Sequence, residues 1–395
     1  MTAPAHRTHP LATALLLMWV MVAATAFTVT LPVLASALIE EFDITRTQFG
    51  LLGLAGGAVA AAGSPFAGRV TDRIGGRNGV LVVLAGSAGA AVLFAGAPVF
   101  GAMFAGAAVA AVAGAAGNPA TNKLIAQQLE PGRRGMVTGL KQTGPQVGSF
   151  LSGALAPWGA ATIGWRPTVL VIGALMAAAV PLVLRIIPVE DGAHIRAERD
   201  RSPLTPGIGW VAVYGTLIGL GGSATFLLPL FVEESLGQSP RVAGAAAALL
   251  GAVAIAGRFQ WARIAERRAS PAPTMALLAA ASVVAMAAML VSIGAGTAWM
   301  WIGTVILGLS ASSWTAVAAI SVIGLAGPVG AGRASGIVWL GFLAGLGIGP
   351  PIYGFTVDES GSYALMWWLA LVAFALATAV AAAWIRTARP DGSPT

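Results

Sequence analysis

The chain has 395 residues, 57% of them hydrophobic and 9% charged, with a net charge of +7 and a mean hydropathy of +0.83. A soluble domain carries about 25% charged residues, so a chain this apolar cannot cover a water-facing surface and takes lipid as its main solvent. It has no cysteine and three histidines, which excludes disulfides, thiolate chemistry and Cys–metal sites and argues against a His-built metal site.

A crossing helix needs about 20 mostly apolar residues, and charged or Pro/Gly-marked breaks divide the chain into twelve such runs. The first, 11–39, exceeds the roughly 7–15-residue core of a signal peptide and reads as a retained membrane helix. Its Phe27 is a candidate for lining a solute cavity. The second run, 47–67, leads into "GRVTDRIGGRNG" at 68–79, where Arg69, Asp72, Arg73 and Arg77 crowd into an otherwise nearly charge-free region. Glycines there permit a tight turn and close helix approach. Asp72 has Arg73, Arg77 or the positive N-terminus of another helix, that of the eleventh run, as candidate partners. The plainer alternative is that these charges only mark a membrane border.

Runs three and four, 79–97 and 99–128, meet at a very tight Ala97–Pro98 turn; merged, they are far too long for one crossing. In "GNPATNK" of run four, Asn118 and Asn122 share a helical face, and Pro119 is expected to bend the helix. The two amides read either as a cavity lining or as interhelical hydrogen-bonding groups; Lys123 reads as interfacial. Run five, 136–160, carries Lys141 about 9 Å from its start at 1.5 Å per residue. A lysine at a bilayer centre costs about 2.5–3.5 kcal/mol. Lys141 therefore either draws an anionic substrate, pairs with a carbonyl, or snorkels to the interface. Gln142 and Gln146 are its neighbours, with Gln142 about 100° round the helix, so Lys141 and Gln142 are not expected to point fully into one cavity. Run six spans 165–187.

The polar break at 188–206 separates six runs (1–187) from six more (207–395) and reads as a cytoplasmic linker. The second set is 207–232, 239–262, 272–294, 297–325, 332–356 and 361–386. Within it "GGSATFLLP" at 221–229 is expected to be a weak helical stretch, and Trp314 and Trp339 are cavity candidates. No Asp or Glu lies deep within any run; Glu233 and Glu234 stand at the end of run seven.

With both termini inside, eighteen Lys and Arg fall on the inner side and three (Arg46, Arg166, Arg241) on the outer, with Lys141 in a run. That bias fits the positive-inside rule and argues for membrane orientation rather than nucleic-acid binding. The halves echo each other in the fifth run of each: Gly139, Gly144 and Gly148 match Gly336, Gly341 and Gly345 at a constant offset of 197.

Gly68, Asp72, Arg73, Gly75 and Arg77 resemble the loop 2–3 signature of the major facilitator superfamily, G-x-x-x-D-R-x-G-R-[RK], with Gly76 where a basic residue is common. "GLKQTGPQVGSFLSG" resembles that family's fifth-helix element, through Gly144, Pro145 and Gly148 with Gly139 upstream. The stretch from Gly117 to Gly144 is similar to bacterial members grouped with cyanate and nitroimidazole permeases. The resemblance implies an all-α integral membrane fold of twelve transmembrane helices in two pseudo-symmetric six-helix bundles. It implies that the Asp72 loop latches the inner gate, and that the protein works as a monomer in a bacterial inner membrane.

The expected function is therefore secondary transport of a small solute by alternating access, with Lys141 and the lack of a buried acid pointing toward an organic anion. An exporter of drugs or metabolites is the alternative, and a non-transporting membrane sensor a distant one. No cofactor is expected, no nucleophile–base pair or metal cluster points to an enzyme, and no phosphate-binding P-loop points to ATP.

Overall fold

The computed structural model describes residues 10–188, 205–267 and 270–387, and every regular element among them is helical. Twelve rods follow in order. They are α1 Leu11–Phe42, α2 Arg46–Ile74, α3 Gly76–Ala95, α4 Phe100–Gln128, α5 over 131–163 and α6 Trp165–Ile186. Then come α7 Pro206–Ser235, α8 Pro240–Glu266, α9 Ala272–Ala295, α10 Thr297–Ala326, α11 Arg333–Ser360 and α12 Tyr363–Thr387. Helical hydrogen bonding continues from Trp314 to Ser360, but at 1.5 Å per residue these 47 residues reach about 70 Å, more than two bilayer cores, and divide between α10 and α11. Among the described residues, ten rods are long and apolar enough to cross a membrane, eleven with the bent α2. The remaining rod, α5, opens with the polar segment "PGRRGMVTGLK". Most of the expected 188–206 linker lies outside the described residues.

Prolines set the irregularities inside the rods, because each removes the bond to the carbonyl four residues back and crowds it. Pro32 accompanies a 3-10 turn at Leu31–Leu34 in α1. Pro119 breaks α4 at Ala116, and Pro145 breaks α5 at Gln142–Thr143, between Pro131–Lys141 and Gly144–Ile163. Pro229 follows a 3-10 turn at Ser223–Leu227 in α7, which then ends in a π-helical turn, Phe231–Ser235. The weak stretch expected at 221–229 is thus where α7 leaves regular α geometry. The α2 rod bends by 56° between Ser64 and Phe66.

The charged stretch at 68–79 is not the loop that its composition suggests. Helix α2 runs to Ile74 and α3 starts at Gly76, so the turn is Gly75 alone, at φ 87° and ψ 161°. Only glycine takes that conformation without strain. The rods simply continue beyond the apolar stretch, where charge no longer marks a helix end. The tight turn expected at Ala97–Pro98 is present: α3 ends at Ala95, α4 starts at Phe100, and the Arg166 guanidinium donates to the carbonyls of Ala95 and Ala97.

The chain forms two compact units, Met1–Leu31 with Val59–Arg196, and Pro32–Ala58 with Ala197–Thr395. In the first, Leu17, Val20, Val80, Val83, Leu84 and Leu124 form a buried core. The second buries Met275, Leu278, Met286, Trp367 and Phe374. One of the three glycine pairs, Gly144 with Gly341, has the same task in each unit. A Cβ on Gly144 would meet the Met18 carbonyl of α1 at 2.5 Å, and one on Gly341 would meet Thr216 of α7 at 2.6 Å. A Cβ on Gly345 would strike the Thr216 carbonyl itself. In both halves, then, the fifth rod lies backbone-close on the first. Gly139 and Gly336 face open space and carry no such constraint.

The second unit also holds the start of α2 by an ionic cluster. Thr45 and Gln48 cap the helix reciprocally, side chain to backbone, at 2.9 and 3.1 Å. Arg46 pairs with Glu234 of the π turn at 2.7 Å and with Asp358 of α11 at 3.3 Å. Asp358 also accepts from the amides of Arg46 (3.2 Å) and Thr47 (2.8 Å) and from the Thr47 hydroxyl (2.6 Å). A carboxylate there meets the positive end of α2. Tyr363 donates to Glu234 at 2.6 Å. Gly354 allows this approach, since a Cβ on it would run into the Arg46–Thr47 peptide.

Candidate functional site: a buried lysine behind two asparagines

Lys141 is the last residue of the first segment of α5, ten residues from its start and so about 15 Å along the rod. Its side chain is fully buried. The ammonium donates to Asn122 Oδ1 at 2.6 Å, Thr121 Oγ1 at 2.7 Å and Asn118 Oδ1 at 3.3 Å. All three acceptors come from one face of α4, at i, i+3 and i+4. Among the described residues no carboxylate pairs with Lys141. A buried cation thus has three neutral oxygens and no counter-charge.

Sequence reasoning brought Asn118, Asn122 and Lys141 forward but passed over Thr121; the i, i+3, i+4 spacing was the available signal. It also set Gln142 apart from Lys141. In the structure both side chains nonetheless reach one Asn118 oxygen, although Gln142 still follows Lys141 in helical register through its amide bond to the Thr138 carbonyl at 3.1 Å. Gln142 Nε2 donates to the same Asn118 Oδ1, at 3.2 Å. Gln146 is buried nearby in sequence on the second segment, with its Oε1 unpartnered. Lys141 itself has no exposed surface, whereas Asn118 and Asn122 are both exposed. Phe27 is half-buried and stands edge-on to Phe94, ring centres 5.0 Å apart.

At the Gly75 turn, Asp72 and Arg73 are exposed, and the Asp72 carboxylate makes no ion pair or hydrogen bond among the described residues. Lys123 caps the end of α2, donating to the carbonyls of Thr71 (3.2 Å) and Asp72 (3.0 Å). Arg77 donates to the Leu184 carbonyl at 3.0 Å. Gly68 faces open space. The side chains at 327–332, just before α11, lie outside the described set.

Trp314 and Trp339 belong to the second unit and share one neighbour. Phe342 lies 5.0 Å from Trp314 and 5.4 Å from Trp339, centre to centre. Trp314 is buried with its Nε1 unpartnered, while Trp339 is exposed. Every Asp and Glu among the described residues sits at or near a rod end, and no group of three His, Cys, Asp or Glu among them is placed to hold a metal.

The sequence profile of the Major Facilitator Superfamily matches residues 16–337 and 222–395, which together take in nearly the whole chain. The chain belongs to the Major Facilitator Superfamily. Two crystal structures of a bacterial homologue of the human lysosomal transporter Spinster share the superfamily fold with it. The inward-facing, occupied form aligns with a TM-score of 0.76 over 98% of both chains at 17% identity. The inward-facing, unoccupied form aligns with a TM-score of 0.72 over 99% of this chain and 100% of that one, also at 17% identity. This superfamily member is also similar to a gallate transporter of Pseudomonas putida, 28% identical over 167 residues. That match covers 42% of this chain and 37% of the relative, so the aligned stretch is well under half the length of either.

Proposed function

We propose that the protein is a secondary active transporter that moves a small organic anion across a membrane by alternating access. The observation that carries this reading is Lys141, buried and without a carboxylate partner among the described residues. Intramembrane charges are costly and usually lie on substrate or ion paths. A buried amine held by neutral partners alone favours a solute that brings a negative charge to it. The partial similarity to a gallate transporter supports an aromatic carboxylate as the first probe. The positive-inside bias supports termini on the cytoplasmic side of a bacterial inner membrane, and nothing in the site calls for a nucleic acid, a cofactor or a catalytic step. The protein acts as a monomer on this reading. Asp72, exposed and unpaired, supports a gate contact that forms only in another conformation.

The test is thermal stabilisation of the purified protein by small carboxylates (gallate, benzoate), neutral solutes and lipophilic cations, with Lys141→Met alongside. A carboxylate at about 100 times its Kd raises stability by about 2.7 kcal/mol. The expected result is stabilisation of the parent by a carboxylate and none of Lys141→Met. Equal stabilisation of both proteins by cations or neutral solutes sinks the anion reading in favour of an exporter whose aromatic groups, Trp314, Phe342 and Trp339, receive apolar solutes.

A further inference from the structure

We infer that the substrate's carboxylate is received by the side-chain NH2 groups of Asn118 and Asn122, and that Lys141 is a positioning residue that never touches it. This deepens the reading above and rests on it. The chemistry is that of donor and acceptor inventory. A lysine ammonium only donates, so an asparagine beside it must turn its Oδ1 inward. Both asparagines do so, at 3.3 and 2.6 Å, and Gln142 Nε2 fixes the Asn118 oxygen a second time at 3.2 Å. The Nδ2 group of each is thereby turned away from the ammonium.

Those two Nδ2 groups have no hydrogen-bond partner among the described residues, and both asparagines are exposed while Lys141 is not. The result is an exposed pair of amide donors with the buried lysine nitrogen bonded behind them. Spaced i and i+4 on one helical face, the donors lie roughly one turn apart, about 5–6 Å between Cβ atoms, a separation that side chains converging on one carboxylate can close. The buried charge supplies long-range attraction in a poorly screened interior, and the amides supply directional bonds. The cation remains fully bonded and need not move when the anion arrives or leaves.

The chain suits a direct test, because it contains only three asparagines, Asn78, Asn118 and Asn122. Asn78 serves as the internal control, its Nδ2 already bonded to the Ile74 carbonyl at 2.8 Å. Selective ¹⁵N labelling of asparagine side chains gives three NH2 signal pairs, assigned by Asn118→Asp and Asn122→Asp. Each of these variants keeps an oxygen for Lys141 and so keeps the fold. On addition of the carboxylate that stabilises the parent protein, the pairs of Asn118 and Asn122 are expected to shift downfield while Asn78 stays put. In Lys141→Met, the same two pairs lose their fixed orientation and no longer respond.

A stabilising carboxylate that leaves both pairs unmoved overturns the inference and leaves the transport reading standing. Absence of any stabilising anion overturns both. A shift confined to the Asn78 pair would place the anion at the Gly75 turn and also overturns it.

Discussion

Lys141 was conspicuous in the sequence because a lysine within an apolar run is costly, and Asn118 and Asn122 because they share a face. The bonds between them were not legible, since they depend on α4 lying beside the break in α5. That break has a local cause, Pro145, which removes the bond to the Lys141 carbonyl and ends the first segment there. Read as a motif residue, Pro145 gave a family resemblance; read as chemistry, it explains why α5 is broken just after Lys141. Removing the ammonium leaves Asn118 Oδ1 with its bond from Gln142 but takes the Lys141 donor from Asn122 Oδ1 and Thr121 Oγ1, of which only Thr121 is buried. Lys141→Met is therefore expected to cost at most about 1–3 kcal/mol, the usual penalty for one unsatisfied buried group. A melting comparison checks this: unfolding of the variant during purification would show that the lysine is a structural pin and little else.

At the scale of elements, the twelve rods were readable from apolar length, and their ends were not. The second run was expected to stop at 67, but α2 continues to Ile74, because a helix can leave the lipid without ending. Glycine spacing was readable as an echo between halves, whereas its use, backbone contact between the first and fifth rod of each half, needs the neighbouring rod. Two contrasts follow. Gly345→Ala forces a methyl group into the Thr216 carbonyl and is expected to cost about 1–3 kcal/mol through overpacking, while Gly139→Ala, facing open space, is expected to be neutral or slightly stabilising as an improved helix residue. Equal melting temperatures for the pair would remove the packing argument. Gly75→Ala places a side chain at φ 87° and is expected to lower stability by about 1–2 kcal/mol, measurable by the same melting assay, with Gly68→Ala as an unstrained comparison.

For the molecule as a whole, composition announced a membrane protein and the loop signature its superfamily. The grouping of residues 32–58 with the later part of the chain was hidden, because it is written in pairs far apart in sequence, Arg46 with Glu234 and Asp358. Each partner alone looks like an ordinary charge at a membrane border. Asp358→Asn weakens the acceptor for two amides at the start of α2, and hydrogen–deuterium exchange at Arg46 and Thr47 is expected to quicken about tenfold, the effect of losing ~1.4 kcal/mol of local protection. Unchanged exchange there would mean that the close packing at Gly354 holds the helix start unaided.

That cluster is also open to the surrounding solution: the side chains of Arg46 and Glu234 are 32% and 30% exposed. Dissolved ions reach it and compete with it. Raising ionic strength from 0.01 to 1 M shortens the Debye length from about 30 Å to about 3 Å, which weakens the Arg46–Glu234 attraction while sparing the bonds that the less exposed Asp358 makes to backbone amides. The hold on the start of α2 is thus partly set by the salinity of whatever medium bathes that end of the protein, so brine loosens it and fresh water tightens it.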